Sequence, residues 1–379
     1  MPKPLIFFSG LLLPSSETFI RAQGEGLQQF TPYYVGARKV KGLTLPVERT
    51  LVVNQGGFLG SVGEGLFKVL GSAPQLYQQV RQLNPVLLHA HFGLNGAMAL
   101  PLARALNLPL VVTFHGSDAT AKEEYIRNSS LNHWLYFRRR AALQREARLF
   151  IVVSEFIKEK LIEQGFPPEK IVVHHIGVDT EVFHPDPSII RQPVVLFVGR
   201  LAEKKGCQYL IQAMAQVQAQ MPDVNLAIVG DGPLRLELEQ LAAKLLKRYQ
   251  FLGLQPPQVV KSWMNRALIL AAPSVTAATG DSEGLPTVVV EAQAMGLPVV
   301  GSIHAGIPQA VLHGETGLLS AERDWHGLAA NILALLNNPS LWQSFSLKGQ
   351  QRIRNNFDLS KQTQVLEGIY TNIWQQRLS

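Results

Sequence analysis

The stretch Asp281-Ser-Glu-Gly-Leu-Pro-Thr-Val-Val-Val-Glu-Ala-Gln-Ala-Met-Gly-Leu-Pro298 reads as a loop, a helix and the start of a strand. Pro286 stands where a helix begins, and proline suits the first turn because its missing N–H has no helical partner there. Gly296 closes the helix and Pro298 opens the next strand. The N–H groups of Leu285, Thr287 and Val288 then lie unbonded at the positive end of a helix, a place suited to a phosphate. Glu283 projects from the loop and Glu291 from the helix, eight residues on. Both carboxylates can accept hydrogen bonds from sugar hydroxyls. A buried acid at a helix start, followed by an ordinary helical Glu, is the plainer reading of the same residues.

Outward from this unit, short apolar runs alternate with helix-length spacers. In the first half the runs are Leu5–Ser9, Pro85–Ala90, Leu110–Phe114, Phe150–Val153 and Lys170–His174. In the second they are Val194–Val198, Val224–Val229, Tyr249–Leu252, Leu268–Ala272 and Pro298–Gly301. Continuous β-branched runs mark strands covered by helices on both faces of a parallel sheet. The repeating strand-helix pattern predicts an α/β chain of two doubly wound, Rossmann-like domains. Val182-Phe-His-Pro-Asp-Pro187 breaks regular structure, which places a first domain over 1–185 and a second over 186–359. Residues 360–379 read as one helix, with Val365, Ile369 and Ile373 at helical spacing.

A chain of 379 residues, 46% of them hydrophobic and only 17% charged, can fill two cores, which excludes wholesale disorder. The net charge is +7, and residues 1–185 hold the excess, with 19 Lys and Arg against 14 Asp and Glu. A basic surface suits an anionic partner such as lipid headgroups; a solvated helix face accounts for the same charges. Trp134, Tyr136 and Phe137 beside Arg138–Arg140 fit either membrane contact or a packed amphipathic helix. Cys207 is the one cysteine, so no intrachain disulfide forms, consistent with a reducing cytoplasm. Leu5–Leu13 is short, broken by Ser9-Gly10 and without a cleavage motif, so it reads as a buried strand running into a glycine loop rather than a signal peptide. No run approaches the length of a membrane span. No recognised nucleic-acid module occurs.

Three further constellations carry chemistry. In Phe197-Val-Gly-Arg-Leu-Ala-Glu-Lys-Lys-Gly206 a strand ends at Gly199 and delivers Arg200 and Lys205. Fixed cations at a strand end can stabilise the charge of a departing diphosphate. Ile228-Val-Gly-Asp-Gly-Pro233 repeats the strand-glycine turn, with Gly230 at its start. In Val112-Thr-Phe-His-Gly-Ser-Asp118 a strand ends at His115, which can face a cleft and touch a sugar or its β-phosphate, or can be structural. His89-Ala-His91 sets two histidines at strand spacing, but no further ligand follows at a zinc-like interval, so no metal site is expected.

With these motifs in order, the chain resembles the retaining glycosyltransferases of family 4. The most specific part is Glu283-Gly-Leu-Pro through Glu291-Ala-Gln-Ala-Met-Gly-Leu-Pro-Val-Val300. Val198-Gly-Arg-Leu, Lys205-Gly206, Val229-Gly-Asp-Gly-Pro233 and His175-Ile-Gly-Val-Asp179 support it. Ser16-Glu-Thr-Phe-Ile20 and His89-Ala-His-Phe-Gly93 are similar to the branch that includes colanic-acid-type exopolysaccharide transferases. The resemblance implies a GT-B fold, two Rossmann-like domains facing each other across a cleft, with the terminal helix packing back on the first. It implies that Arg200 and Lys205 hold the diphosphate and that Glu291 binds the ribose. Glu283 would contact the transferred sugar, and the backbone of Gly284, Leu285, Pro286 and Thr287 its hydroxyls and phosphate. His115 would face the sugar from the first domain. The Gly10 loop would lie near the donor phosphate, with Ser16, Glu17, Thr18 and Asp118 on the acceptor side. One departure is Gly306-Ile-Pro-Gln309, where many relatives have Glu at the last position.

The expected activity is retaining transfer from a UDP- or GDP-sugar to an acceptor hydroxyl in exopolysaccharide, lipopolysaccharide or glycolipid synthesis. No metal or other cofactor is expected. The expected partners are the nucleotide sugar, a sugar or lipid-linked acceptor and an anionic membrane surface, in a cytoplasmic protein peripheral to the inner face. A nucleotide-sugar epimerase and a non-catalytic nucleotide-sugar-binding subunit are the rival readings.

Overall fold

The computed structural model describes residues 2–14 and 16–378; Met1, Ser15 and Ser379 lie outside the described residues. The chain forms two compact units, Met1–Gly177 with Leu359–Ser379, and Val178–Asp358.

Unit 1 holds seven strands: β1 Lys3–Leu12, β2 Phe30–Lys39, β3 Thr50–Asn54, β4 Leu88–His91, β5 Leu110–Phe114, β6 Leu149–Val152 and β7 Ile171–Val173. They pair in the order β3-β2-β1-β4-β5-β6-β7, every pair parallel. Unit 2 holds β8 Val194–Val198, β9 Asn225–Val229, β10 Tyr249–Gly253, β11 Ile269–Ala272, β12 Val299–Ser302 and β13 Gly317–Ser320, in the parallel order β10-β9-β8-β11-β12-β13. Helical crossovers cover such sheets, which is why Leu5, Ile6, Phe7 and Phe8 are all buried although they alternate in facing. In each sheet the strand order reverses beside the first strand, between β1 and β4 and between β8 and β11. Ligands of open α/β sheets bind at the carboxyl ends of the strands flanking such a switch.

Several sequence-level expectations need correction. β2, β3 and β13 have no counterpart among the expected runs, because Thr31-Pro-Tyr-Tyr34, the short Thr50–Asn54 and Gly317–Ser320 lack a continuous aliphatic signature. Gly10 is not in a loop. Its strand runs on to Leu12, because β1 pairs with β2 as far as Leu12↔Lys39, and the chain turns only at Leu13. The boundary between units lies before Val178, ahead of the proline break. Val178 donates from its N–H to Phe357 O, and Thr180 Oγ1 donates to Asp358 Oδ2, so this segment belongs with unit 2.

The last helix, Leu359–Leu378, is part of unit 1. Its buried face is Thr363, Leu366, Glu367, Tyr370 and Ile373, whereas Val365 is 54% exposed. Leu366 and Ile373 join the core on that face, and Glu367 Oε1 accepts from the N–H of Gln28 and Gln29 at 2.7 and 2.6 Å. Tyr370, fully buried, meets the Phe30 ring edge-on. Among the described residues no helix is long and apolar enough to cross a membrane.

Candidate donor site

Two loops meet at the unit 2 switch point. One follows β8 and makes a single 3-10 turn at Glu203–Lys205; the other follows β11 and runs to Pro286. Gly206 lets them close up: its φ is +63° and a Cβ there would lie 1.9 Å from Pro273 O. Gly230 does the same between β8 and β9, where a Cβ would sit 1.9 Å from Gly199 O. Two bonds stitch the loops, Val275 N–H donating to Lys204 O and Ala278 N–H to the Glu203 side-chain Oε1.

This closure pairs the charges. Lys205 Nζ lies 2.8 Å from Glu283 Oε1, and Lys204 Nζ lies 3.0 Å from Asp281 Oδ1. Glu283 is buried, and its contact with Lys205 is ionic rather than a well-aligned hydrogen bond. Burial pushes its carboxyl up, but the ammonium groups of Lys205 and Lys204 outweigh that, and the pKa falls below the ordinary value. The Glu283 N–H donates to His304 Nε2 at 3.2 Å, which leaves the His304 proton on Nδ1 to donate to Glu322 Oε1 at 2.6 Å. Glu322 in turn accepts from Thr276 N–H at 2.9 Å. His304 and Glu322 were not visible in the motifs. The signal they left is position, since each follows the carboxyl end of a strand, β12 and β13.

The helix of the quoted stretch spans Thr287–Ala294, with Pro286 as its N-cap and no side-chain cap. Among the described residues nothing accepts from the N–H groups of Thr287 or Val288. Glu291 stands on this helix without an ion-pair partner among the described residues, and burial pushes its carboxyl up to about 7. Arg200 is exposed and likewise unpaired among the described residues. It borders an open pocket of about 610 Å³ lined by Gly199, Gly230, Asp231, Gly232, Leu254 and Gln255, at the ends of β8, β9 and β10. That is the size range of small-molecule sites. Gln309 lies on the short helix Ile307–Ala310, and its backbone O accepts from Arg352.

The unit 1 switch point is different in kind. His115 follows β5, and its Nε2 lies 3.2 Å from His91 Nδ1. His91 stacks on His89 at 4.3 Å between ring centroids. His89 is held by Tyr370 Oη through Nδ1 and by Thr113 Oγ1 through Nε2, the latter at 2.7 Å. Burial drives the imidazoles of His89 and His115 down to about 3, and that of His91 well below its ordinary value, so the row is neutral. His91 Nε2 and His115 Nδ1 have no partner among the described residues. His115 also borders an enclosed cavity of about 10 Å³, with Phe19, Thr113 and His174, roughly one water in size.

The remaining first-unit candidates separate. The Asp118 carboxylate accepts from the N–H groups of Gly93, His115 and Gly116 at 2.9, 3.1 and 2.9 Å. It braces the turns after β4 and β5. Glu17 caps the Thr18–Glu25 helix by position only, and burial pushes its carboxyl up to about 7. Ser16 and Thr18 are exposed beside it. Gly10 N–H donates to Asn95 Oδ1, and Asn95 was a further residue the motifs did not show. Leu13, Phe92, Ala305 and Arg323 all take left-handed φ of 34, 72, 48 and 66° just past the ends of β1, β4, β12 and β13. Such strain persists where surrounding contacts fix the chain, and it gathers at functional edges.

The glycosyltransferase family 4 model matches residues 27–182, and the model for glycosyl transferases group 1 matches residues 192–338. The chain belongs to the family 4 glycosyltransferases. It is 35% identical over 254 residues to the amylovoran biosynthesis glycosyltransferase AmsK of Erwinia amylovora, covering 65% of this chain and 60% of that one. It is 34% identical to the putative colanic acid biosynthesis glycosyltransferase WcaL of Salmonella typhimurium, over 64% and 59% of the two chains. The chain thus spans about 60% of the length of these relatives. Two solved structures share its GT-B fold at a TM-score of 0.78. They are sucrose-phosphate synthase of Thermosynechococcus elongatus, 21% identical over 99% and 100% of the chains, and Anabaena HepE with UDP, 22% identical over 98% and 100%.

Proposed function

We propose that this family 4 glycosyltransferase moves a sugar from a nucleoside diphosphate sugar to an acceptor hydroxyl with retention of configuration, in exopolysaccharide assembly. The observation that carries the donor site is the Lys205–Glu283 pair beside the uncapped Thr287 helix, on the switch point of unit 2. That arrangement offers cations and free N–H dipoles to a diphosphate and a carboxylate to sugar hydroxyls. The names of the AmsK and WcaL relatives support the biosynthetic setting, and HepE structures with UDP and UDP-glucose support the donor class.

In the proposed reaction the bond from the anomeric carbon to the diphosphate breaks and the bond to the acceptor oxygen forms on the same face. The departing phosphate oxygen takes the acceptor's proton. Arg200, Lys205 and the Thr287 and Val288 N–H groups stabilise the charge gathering on the diphosphate, the work a divalent ion does elsewhere. Glu283 holds Lys205 in place and receives sugar hydroxyls; Glu291 receives those of the ribose. His115 is the proposed contribution of unit 1. The proposed acceptor is sugar or lipid-linked, met at an anionic membrane surface.

The test is a titration with UDP-, GDP- and ADP-sugars, following thermal stability and free diphosphate, with and without EDTA. A selective shift with slow diphosphate release, insensitive to EDTA, is the expected result. No shift with any donor would remove the site, and conversion of the sugar without diphosphate release would make the protein an isomerase. Turnover lost to EDTA and restored by Mg²⁺ would overturn the metal-free account.

A further inference from the structure

The helix Gly57–Leu70 of unit 1 is built inside out. Its protein-facing side carries Glu64 and Phe67, both buried. Glu64 is tied there by Asn54 Nδ2 at 2.7 Å and by Lys68 Nζ. Its solvent side is apolar: Phe58 and Leu59 are 81% and 83% exposed, Leu70 is 70% exposed, and Val62, Leu66 and Val69 are each more than 40% exposed. Positions 58, 62, 66 and 69 stack on one face at helical spacing. Isolated exposed apolar residues need no explanation, but a continuous stripe of six does.

Basic groups frame the stripe. At its start, Arg38 and Lys39 end β2 beside Asn54, the last residue of β3, from which the helix departs. Both are exposed, as is Lys41. At its end Arg139 donates to Val69 O at 2.8 Å. Residues 1–150 carry 16 Lys and Arg against eight Asp and Glu. Four glycines among the helix's 14 residues weaken it in water, so an added apolar contact would firm it.

We propose that the Gly57–Leu70 helix docks the protein on an anionic lipid bilayer, lying in the interface with Phe58, Leu59, Leu66 and Leu70 among the acyl chains. This deepens the membrane contact proposed above and rests on it. A single basic-framed apolar helix fits an interface some 5–10 Å deep. It falls well short of the roughly 20–30 residues a side that a stable protein partner uses. At 14 residues the helix is too short to span. The helix Leu131–Glu146, the other basic-aromatic segment, is a weaker anchor. Its Tyr136 is in the core, and Phe137 lies between the guanidinium groups of Arg127 and Arg140.

Co-sedimentation of the full chain with vesicles tests this, using phosphatidylcholine alone and phosphatidylcholine mixed with phosphatidylglycerol. The wild type should bind the mixed vesicles, less so in high salt. The double variant F58S/L59S should lose at least about tenfold in partitioning, since it withdraws two exposed apolar side chains and leaves the core untouched. K39Q/K41Q should lose several-fold. Unchanged binding by F58S/L59S overturns the proposal, as does a wild-type dimer that this variant makes monomeric. The thermal shift with nucleotide sugar is read in parallel. A shift without vesicle binding sinks the docking surface alone, and vesicle binding without a shift sinks the donor site alone.

Discussion

The two units carry the same parallel architecture and the same kind of switch point, yet they arm it oppositely. Unit 2 places opposite charges there: Lys205 with Glu283, Lys204 with Asp281, and Arg200 left unpaired among the described residues. Unit 1 places a row of neutral imidazoles there, His89, His91 and His115, and spends the neighbouring carboxylate, Asp118, on backbone N–H groups. A charged edge suits a diphosphate, and a neutral hydrogen-bonding edge suits hydroxyls. One topology serves both, because the sheet fixes where the loops emerge while the loops decide what they present.

The contrast breaks most sharply at Lys205. Lys205→Ala should lower turnover about 10²–10³-fold by removing a cation from developing charge. It should also cost about 1–3 kcal/mol of stability, because Glu283 stays buried beside fewer cations. Adding Glu283→Gln should restore much of the melting temperature and none of the turnover. If K205A turns over normally, unit 2 does not bind the diphosphate here.

Acid should separate the units next. A depressed imidazole contributes stability above its unfolded value of about 6.5 and loses it as pH falls toward the folded value. With His89 and His115 at about 3, unit 1 should weaken below pH 6.5, by about 1.4 kcal/mol per pH unit for each ring. Glu17, raised to about 7, opposes one of them. Glu283, whose pKa is lowered, contributes stability that is lost only below about 4.5. Glu291, raised to about 7, instead gains stability as pH falls from about 7 toward 4.5. Segment-resolved amide exchange between pH 7 and 5 should therefore show unit 1 opening first, and simultaneous opening would erase the distinction.

Smaller effects sharpen it. If both Glu291 oxygens accept ribose hydroxyls the group acts as the carboxylate, so nucleotide affinity should fall up to about tenfold per unit below pH 7, and Glu291→Gln should bind weakly with no such slope. Calorimetry at pH 8 and 6 reads this. Tyr370→Phe leaves His89 Nδ1 unsatisfied and should cost about 1–2 kcal/mol without moving nucleotide affinity, as denaturant melts and the same calorimetry would show.

Much of the local structure of the candidate donor site was legible because it is local. Glycines, prolines and charges at fixed spacing specify the strand end at Gly199 and the helix start at Thr287 without reference to distant residues. What escaped was long-range pairing. His304 and Glu322 act on Glu283 and Thr276 from other strand ends, and Asn95 reaches Gly10 across 85 residues. The three backbone donors that hold Asp118 likewise cannot be read from a motif. In the last helix Ile373 is buried and Ile369 packs against the core, as their spacing indicates, whereas apolar Val365 is exposed and polar Glu367 and Tyr370 are buried. The buried partners of Glu367 and Tyr370 fix the rotation together with Leu366 and Ile373 in the core.

The sequence by itself determined two α/β sheets, the glycine turns at their edges and the types of group those turns deliver, since periodicity and backbone sterics act over a few residues. Only the tertiary structure decided which charges neutralise one another, which histidines lose their protons to burial and which apolar helix face is left in water. Those outcomes depend on desolvation and on neighbours that arrive from elsewhere in the chain.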